Sequence, residues 1–319
     1  MIQILIFLFI GFQLFGKMED SFRRIIDIRQ RTNQVKNIDY IYLINLDHRI
    51  ERYQLSLDQL LPYQIFPHRF SAINGWEMTD DQINLTGLKW KSWMHFGPNL
   101  KGKGVRFGNG KEKIVRLSEV EPGKVIFSKH ISKGGIGCAL SHLSILQDAY
   151  NAGYQTIWIL EDDFILKENP HLLSDYIEKL DQLVSDWDVL YTDENYVSWF
   201  DVQASNSIDF YKKFPIKWRP DHAIQNFQFL TQRKVLNEDF NQVNSRFGMY
   251  SVIVRRSGMK KILDFIKNQG IFLPIDHDIS YVPNIKLYVL KKQFVTCRYD
   301  ASDTQKRNFS KSDLKNPGK

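Results

Sequence analysis

Short, unbroken apolar runs alternate along the chain with stretches of helical periodicity, and several of the runs end in polar clusters. Residues 39–46, DYIYLINL, are almost all β-branched, aromatic or aliphatic, which predicts a strand covered on both faces. A helix is expected over 50–61, with Tyr53, Leu57 and Leu60 inward. Residues 65–73 read as a second strand closed by the Asn74-Gly75 turn signal. After Gly134, Ile136, Ala139, Leu140, Leu143 and Leu146 recur at three- and four-residue steps, a helix that Gly153 ends. The run 156–163, TIWILEDD, passes from five residues suited to a buried strand into three carboxylates. A helix over 172–187, strands over 188–191 and 247–254, a helix from a Ser257 cap to Lys267 stopped by Gly270, and a strand over 285–295 complete the pattern.

Strands alternating with helices predict an α/β fold with a mostly parallel central sheet over 39–305. Periodicity fades between 76 and 133, where Gly/Lys-rich loops and two strand-like runs, 114–117 and 124–127, suggest a hairpin-bearing insertion. Its Trp90, Trp93 and Phe96 either close over an acceptor or are surface. Residues 195–244 are aromatic-rich and irregular, 17–38 read as a linker or amphipathic helix, and the 306–319 tail is basic and loose.

At 319 residues, 43% hydrophobic and 25% charged, the chain can bury one large core or two joined ones, which excludes a disordered class. The net charge of +7 points to an anionic partner such as a nucleotide, a phosphorylated glycan or a membrane surface. Nucleic acid is not expected, because no readout motif or compact basic helix is present. Cys138 and Cys297 are the only cysteines, so neither a disulfide framework nor a Cys-based metal site is expected, and Cys138 reads as core. Residues 2–15 are apolar but for Gln3, Gly11 and Gln13, short of the roughly 20 residues of a membrane span. Residues 1–16 are therefore expected to be a signal peptide or short membrane anchor, placing the chain at a membrane or in the secretory pathway.

Charges buried without partners cost several kcal/mol each, so Glu161, Asp162 and Asp163 should sit just past a strand's end, facing a cleft. Strand alternation turns Glu161 and Asp163 one way and Asp162 the other, so two oxygen donors can converge on one hard divalent cation. Asn45, Asp47, His48 and Arg49 occupy the corresponding end of the first strand, where open α/β sheets bind ligands. Arg49 and Arg52 suit a forked contact with a diphosphate, or are solvated helix residues. Gly134, Gly135 and Gly137 either let a helix start approach an anion or let the helix pack closely on the sheet. Ser141 and His142 follow one turn later, and His142 by itself reads first as a hydrogen-bonded structural histidine. Asp276-His277-Asp278 forms a second acidic cluster.

Five segments in order, Ile44-Asn45-Leu46-Asp47-His48-Arg49 with Arg52, Ala72-Ile73-Asn74-Gly75, Gly135 to His142, Leu160-Glu161-Asp162-Asp163 and Pro274-Ile275-Asp276, together resemble glycosyltransferase family 25. That family includes lipopolysaccharide and procollagen galactosyltransferases, and the likeness spans roughly residues 39–289. The resemblance implies a GT-A fold, a Rossmann-like sandwich that takes a UDP-sugar donor with Mn²⁺ or Mg²⁺ and inverts the anomeric carbon. It implies that Glu161, Asp162 and Asp163 form the metal motif and that Asn45, Asp47, Arg49, Arg52, Gly135, Gly137, Ser141 and His142 lie near the donor. On this basis Asp163, helped by Glu161 or Asp162, holds the metal, with His277 as a further ligand or a surface histidine. Asp276 is the candidate general base, with Asp278 in reserve. The expected function is transfer of a hexose, galactose first, to a glycan, glycolipid or protein hydroxyl, with peripheral membrane association. His48 stands where another basic residue is common, and the long insertion leaves the acceptor unassigned. The competing reading is a non-catalytic nucleotide-sugar-binding or adhesion module, which has little need of three clustered carboxylates.

Overall fold

The computed structural model describes residues 17–25, 35–96, 102–194, 232–298 and 302–304. In its first half, the chain forms β1 (Tyr40–Asn45), α1 (Ile50–Leu60), β2 (His68–Ser71), α2 (Asp80–Asn84), β3 (Leu88–Lys89), β4 (Lys103–Gly108), β5 (Lys111–Arg116), β6 (Val125–Ser128) and α3 (Lys133–Asn151). Then come β7 (Thr156–Glu161), β8 (Phe164–Leu166), α4 (Leu173–Leu183), β9 (Val189–Tyr191), β10 (Arg233–Val235), β11 (Phe240–Val243), β12 (Ser251–Arg255), α5 (Arg256–Gln269), α6 (Ile275–Asp278), β13 (Leu287–Leu290) and β14 (Val295–Cys297). Among the described residues the central sheet has eight strands in the order β10-β11-β13-β9-β12-β7-β1-β2.

The sheet is mixed: most of its strands run in one sense, as expected of a mostly parallel sheet, and β11 and β12 run against them. Parallel pairing joins β1 to β2, β1 to β7 and β9 to β13. The other four pairings are antiparallel, because β12 lies reversed between β7 and β9 and β11 reversed between β10 and β13. The cause is connectivity. Parallel neighbours need a crossover back to the starting edge, whereas Val252 pairs with Tyr191, so the chain leaves β9 and re-enters β12 at the same edge.

Alternation along the buried strands sorts the core into two layers. Tyr40, Tyr42, Ile44, Ile157 and Ile159 pack with Ile136, Leu140 and Leu143 of α3 and Met259, Ile262 and Ile266 of α5. Ile41, Leu43, Trp158 and Leu160 pack on the other face with Leu60 of α1 and Leu173, Ile177 and Leu180 of α4. Each such aliphatic side chain taken fully out of water contributes about 1.5–3 kcal/mol, which is why both runs read as continuously apolar.

The insertion forms a second sheet in the order β3-β6-β4-β5. Its hairpin joins β4 to β5 through Asn109 (φ 54°) and Gly110 (φ 70°), the left-handed pair that suits a tight two-residue turn. Residues 111–116 thus pair with 103–108, a strand whose Val105 and Phe107 are screened in the sequence by Gly104 and Gly108. The insertion is stitched to the main domain by Ile271 N–H to Thr86 O (2.7 Å), Leu88 N–H to Ile271 O (3.0 Å) and Ser128 N–H to Phe272 O (2.8 Å).

Other boundaries shift for local reasons. The helix expected to Trp187 stops at Leu183, since Val184 is extended. Ser257 does not cap α5; its Oγ donates to Asp188 Oδ1 at 2.7 Å. The strand expected over 285–295 is divided into β13 and β14. Of residues 17–38, Met18–Ser21 form a 3-10 turn and 26–34 lie outside the described residues, as do residues 1–16, expected to be a signal peptide or anchor, and the 306–319 tail. No helix among the described residues is long and apolar enough to cross a membrane.

Candidate active site

Asn45, Ser71 and Glu161 end β1, β2 and β7 at one edge of the sheet, and a cleft opens there. The acidic triplet forms part of its wall, along with Asn45, Arg52, Trp76, Cys138 and Asp303. The period of two separates the first two acids. Glu161 turns toward α3, with Oε1 2.8 Å from His142 Nε2. Asp162 turns the other way, where Oδ2 accepts from Asn45 Nδ2 at 2.7 Å and Oδ1 lies 3.6 Å from Arg52 Nη1. Ser56 Oγ donates to the Asp162 carbonyl at 3.2 Å, fixing the turn to α1.

Asp163 Oδ1 is buried without a hydrogen-bond partner. Burial, reinforced by the neighbouring Glu161 and Asp162 charges, pushes its carboxyl up to about 8. Asp162 is raised as well, by burial, against the pull of Asn45 and Arg52.

Cys138 is not a simple core residue. Four-residue spacing places it with His142 on one face of α3, and its Sγ lies 3.8 Å from Glu161 Oε1. The ligand atoms of Cys138, His142 and Glu161 all fall within 4.8 Å of one another, which corrects the expectation that no cysteine takes part in a metal-type cluster. The Cys138–His142 spacing was visible in the sequence; the approach of Glu161 was not. Burial, then the Glu161 charge, pushes the Cys138 thiol up and keeps it protonated. His142 Nδ1 is buried with no partner.

The glycines act mainly through close approach. A Cβ on Gly137 would lie 2.4 Å from both Ile73 O and Gly75 N, and one on Gly75 would lie 1.8 Å from Lys133 O. Ser141 Oγ accepts from Ile73 N–H at 2.8 Å and donates to Gly137 O at 2.8 Å. Gly137 and Ser141 therefore seat the 73–75 loop against α3 and shape one wall of the cleft, whereas a Cβ on Gly135 would meet Ile131 Cγ1 at 3.0 Å.

Arg49 and Arg52 meet an anion, but one supplied by the chain. Arg49 Nε donates to Asp303 Oδ2 at 3.0 Å, its Nη2 bonds the other oxygen, and Arg52 Nη1 lies 3.4 Å from Asp303 Oδ2. Asp303 was not singled out in the sequence; it lies in a polar stretch with no motif. Asp47 stands outside this group, accepting from Ser71 Oγ (2.7 Å) and Arg69 Nη2 (2.8 Å), which hold its carboxyl below the usual range and tie β1 to β2.

The second acidic cluster divides too. Asp276 Oδ2 accepts from Gly248 N–H at 2.7 Å and Oδ1 from His277 N–H at 3.0 Å, and its charge helps push up the nearby Cys138 thiol and Tyr191 phenol; Asp276 itself is not part of the cleft wall. Asp278 is fully buried and accepts from Phe272 N–H at 2.9 Å, so it braces the turn into α6. The His277 ring packs on Phe247, 4.6 Å between centroids, and is not part of the cluster formed by Cys138, His142 and Glu161. Asp193, at the end of β9, is spent on a buried ion pair with Arg246 and a bond from Tyr250 Oη.

Fold and cleft together define an α/β protein with a cleft at the carboxyl ends of its strands, the position where open α/β sheets bind ligands. Residues 38–279 match the model of glycosyltransferase family 25 (LPS biosynthesis protein); the chain belongs to that family and is a glycosyltransferase, acting between a sugar donor and an acceptor. Comparison with curated proteins finds no match.

Proposed function

We propose that this enzyme is a metal-dependent, inverting hexosyltransferase of GT-A architecture that moves a sugar, galactose first among candidates, from a UDP-sugar to a hydroxyl of a glycan, glycolipid or protein. The observation that carries this reading is the buried, unpartnered Asp163 Oδ1 beside two further carboxylates at the end of β7. An acid so placed fits a hard divalent cation, Mn²⁺ or Mg²⁺, through carboxylate oxygen. Asp163 and Glu161 are the residues to hold it, since Asp162 is engaged by Asn45 and Arg52. When bound, the ion supplies a Lewis acid for the charge that develops on the leaving diphosphate.

The chain's own groups do the rest. His142 orients Glu161, and Asn45 and Arg52 hold the turn that presents Asp163. Arg49 and Arg52 bind diphosphate oxygens. Asp276, positioned by two backbone N–H groups, takes the proton of the acceptor hydroxyl as that oxygen attacks the anomeric carbon opposite the leaving group. Asp278 is too buried to share this role. The apolar 2–15 run supports a place at a membrane or in the secretory pathway.

Screening UDP-sugars for Mn²⁺-stimulated UDP release tests the reading. Asp163→Ala abolishes the stimulation; full activity in that variant removes the metal from the reaction. Asp276→Asn lowers kcat and spares donor KM, and equal losses in both assign Asp276 to binding instead.

A further inference from the structure

Residues 302–304 form part of the cleft wall, and Asp303 meets Arg49 from 254 positions away in the chain. Three contacts hold them. The Asp303 carboxylate takes both Arg49 and Arg52. Its backbone carbonyl accepts from Trp76 Nε1 at 2.9 Å. Ser132, the cap residue of α3, donates through Oγ to the Thr304 carbonyl and accepts through the same atom from Gly135 N–H at 3.0 Å. Gly134 permits the approach, since a Cβ there would come within 2.7 Å of Asp303 O and of Trp76 Nε1.

These contacts have a common chemistry. A paired guanidinium group and a helix N-terminus are together the features that bind a phosphate, and each is filled by the chain itself. The Asp303 side chain is about one quarter exposed and those of Arg49 and Arg52 30% and 14%, so the carboxylate is within reach of solvent and of an incoming anion.

We propose that residues 302–304 form an anion-mimicking strap: Asp303 occupies the place of the donor's diphosphate, and donor binding displaces it from Arg49 and Arg52. This rests on the nucleotide-sugar reading above and adds regulation of that same site. The strap holds the two arginines in place before the donor arrives, and it makes the empty cleft reject weaker monoanions. Its release uncovers the first turn of α3 and the Trp76 indole. An intramolecular competitor lowers apparent affinity by the fraction of time it leaves the site open, so a strap closed about nine-tenths of the time weakens diphosphate binding about tenfold.

Calorimetric titration of the full chain in EDTA, with UDP and separately with inorganic pyrophosphate, tests this without involving the metal. Asp303→Asn, which keeps the shape and removes the charge, is expected to bind both probes about tenfold more tightly than the wild type. Trp76→Phe, which leaves the charge and removes one tether, is expected to tighten both about threefold and serves if Asp303→Asn folds poorly. Unchanged or weaker binding in both variants overturns the proposal and makes Asp303 a permanent brace for the arginines. The two readings fail separately. Pyrophosphate bound more tightly by the variants, with UDP bound by none either in EDTA or with added Mn²⁺, upholds the strap and sinks the nucleotide donor. UDP bound equally by all three upholds the donor and sinks the strap.

Discussion

Asp163→Asn is expected to stabilise the protein while disabling it. The native fold holds this carboxyl at about 8, whereas the unfolded chain releases the proton near 4. The folded value is the higher one, so the folded state is favoured most below about pH 4 and loses that advantage as pH rises toward 8. At about 1.4 kcal/mol per pH step, the full span to pH 7.5 is about 5 kcal/mol, and solvent access to the cleft screens this to about 2 kcal/mol. Asparagine keeps the shape and cannot ionise, so the variant escapes that cost. Urea unfolding in EDTA at pH 4.5, 6.0 and 7.5 reads the difference. The variant should match the wild type at the lowest pH and exceed it by about 2 kcal/mol at the highest. Adding Mn²⁺ at pH 7.5 should then raise the midpoint of the wild type and leave the variant's unmoved, since only a ligand bound by the folded state stabilises it. A variant less stable than the wild type at pH 7.5, or a gap that does not change with pH, refutes the account of a strained acid awaiting a cation.

Two structural substitutions test the frame around that acid. Gly137→Ala places a Cβ 2.4 Å from two backbone atoms that cannot move aside independently, so it should lower stability by about 1–3 kcal/mol in thermal unfolding, and Gly135→Ala should cost clearly less; equal losses would show that the 73–75 loop adapts freely. Asp193→Ala strands the fully buried Arg246 guanidinium and should cost about 3–5 kcal/mol by urea unfolding, with much of the loss recovered when Arg246 is also replaced by Met; a mild effect from the single change would mean that water reaches Arg246.

How much of this was legible in the sequence depends on what buried each element. β1 and β7 lie between two helical layers, and their apolar runs with polar ends announced both the strands and the edge at which the cleft opens. The apolar stripe of α3 was equally plain, because nearly its whole first three turns are buried. β10 and β11 were not, since Arg233, Lys234, Asn241 and Gln242 carry no apolar alternation and their pairing is decided by β13. The reversal of β12 left no mark either: a strand buried on both faces reads the same in either direction, and its sense follows from where the chain re-enters the sheet.

Three adjacent acids look interchangeable in a sequence, and here they are not. Alternation at the end of β7 aims Glu161 at α3 and Asp162 at β1 and α1, where His142 in one direction and Asn45 and Arg52 in the other give them partners. Asp163, one step beyond the ladder, inherits the burial of its neighbours and their charge without a donor for its Oδ1. The imbalance is produced by the strand's geometry, because any residue type able to partner all three would have to stand on both faces of the sheet at once. The same logic governs the arginines beside them: the start of α1 presents Arg49 and Arg52 to a single anion, and the chain supplies that anion from residue 303, far from any segment whose pattern would have suggested it. An unsatisfied acid, a guanidinium group and the carboxylate that neutralises it thus line the same cleft, a charge arrangement that a metal-bound diphosphate would complete.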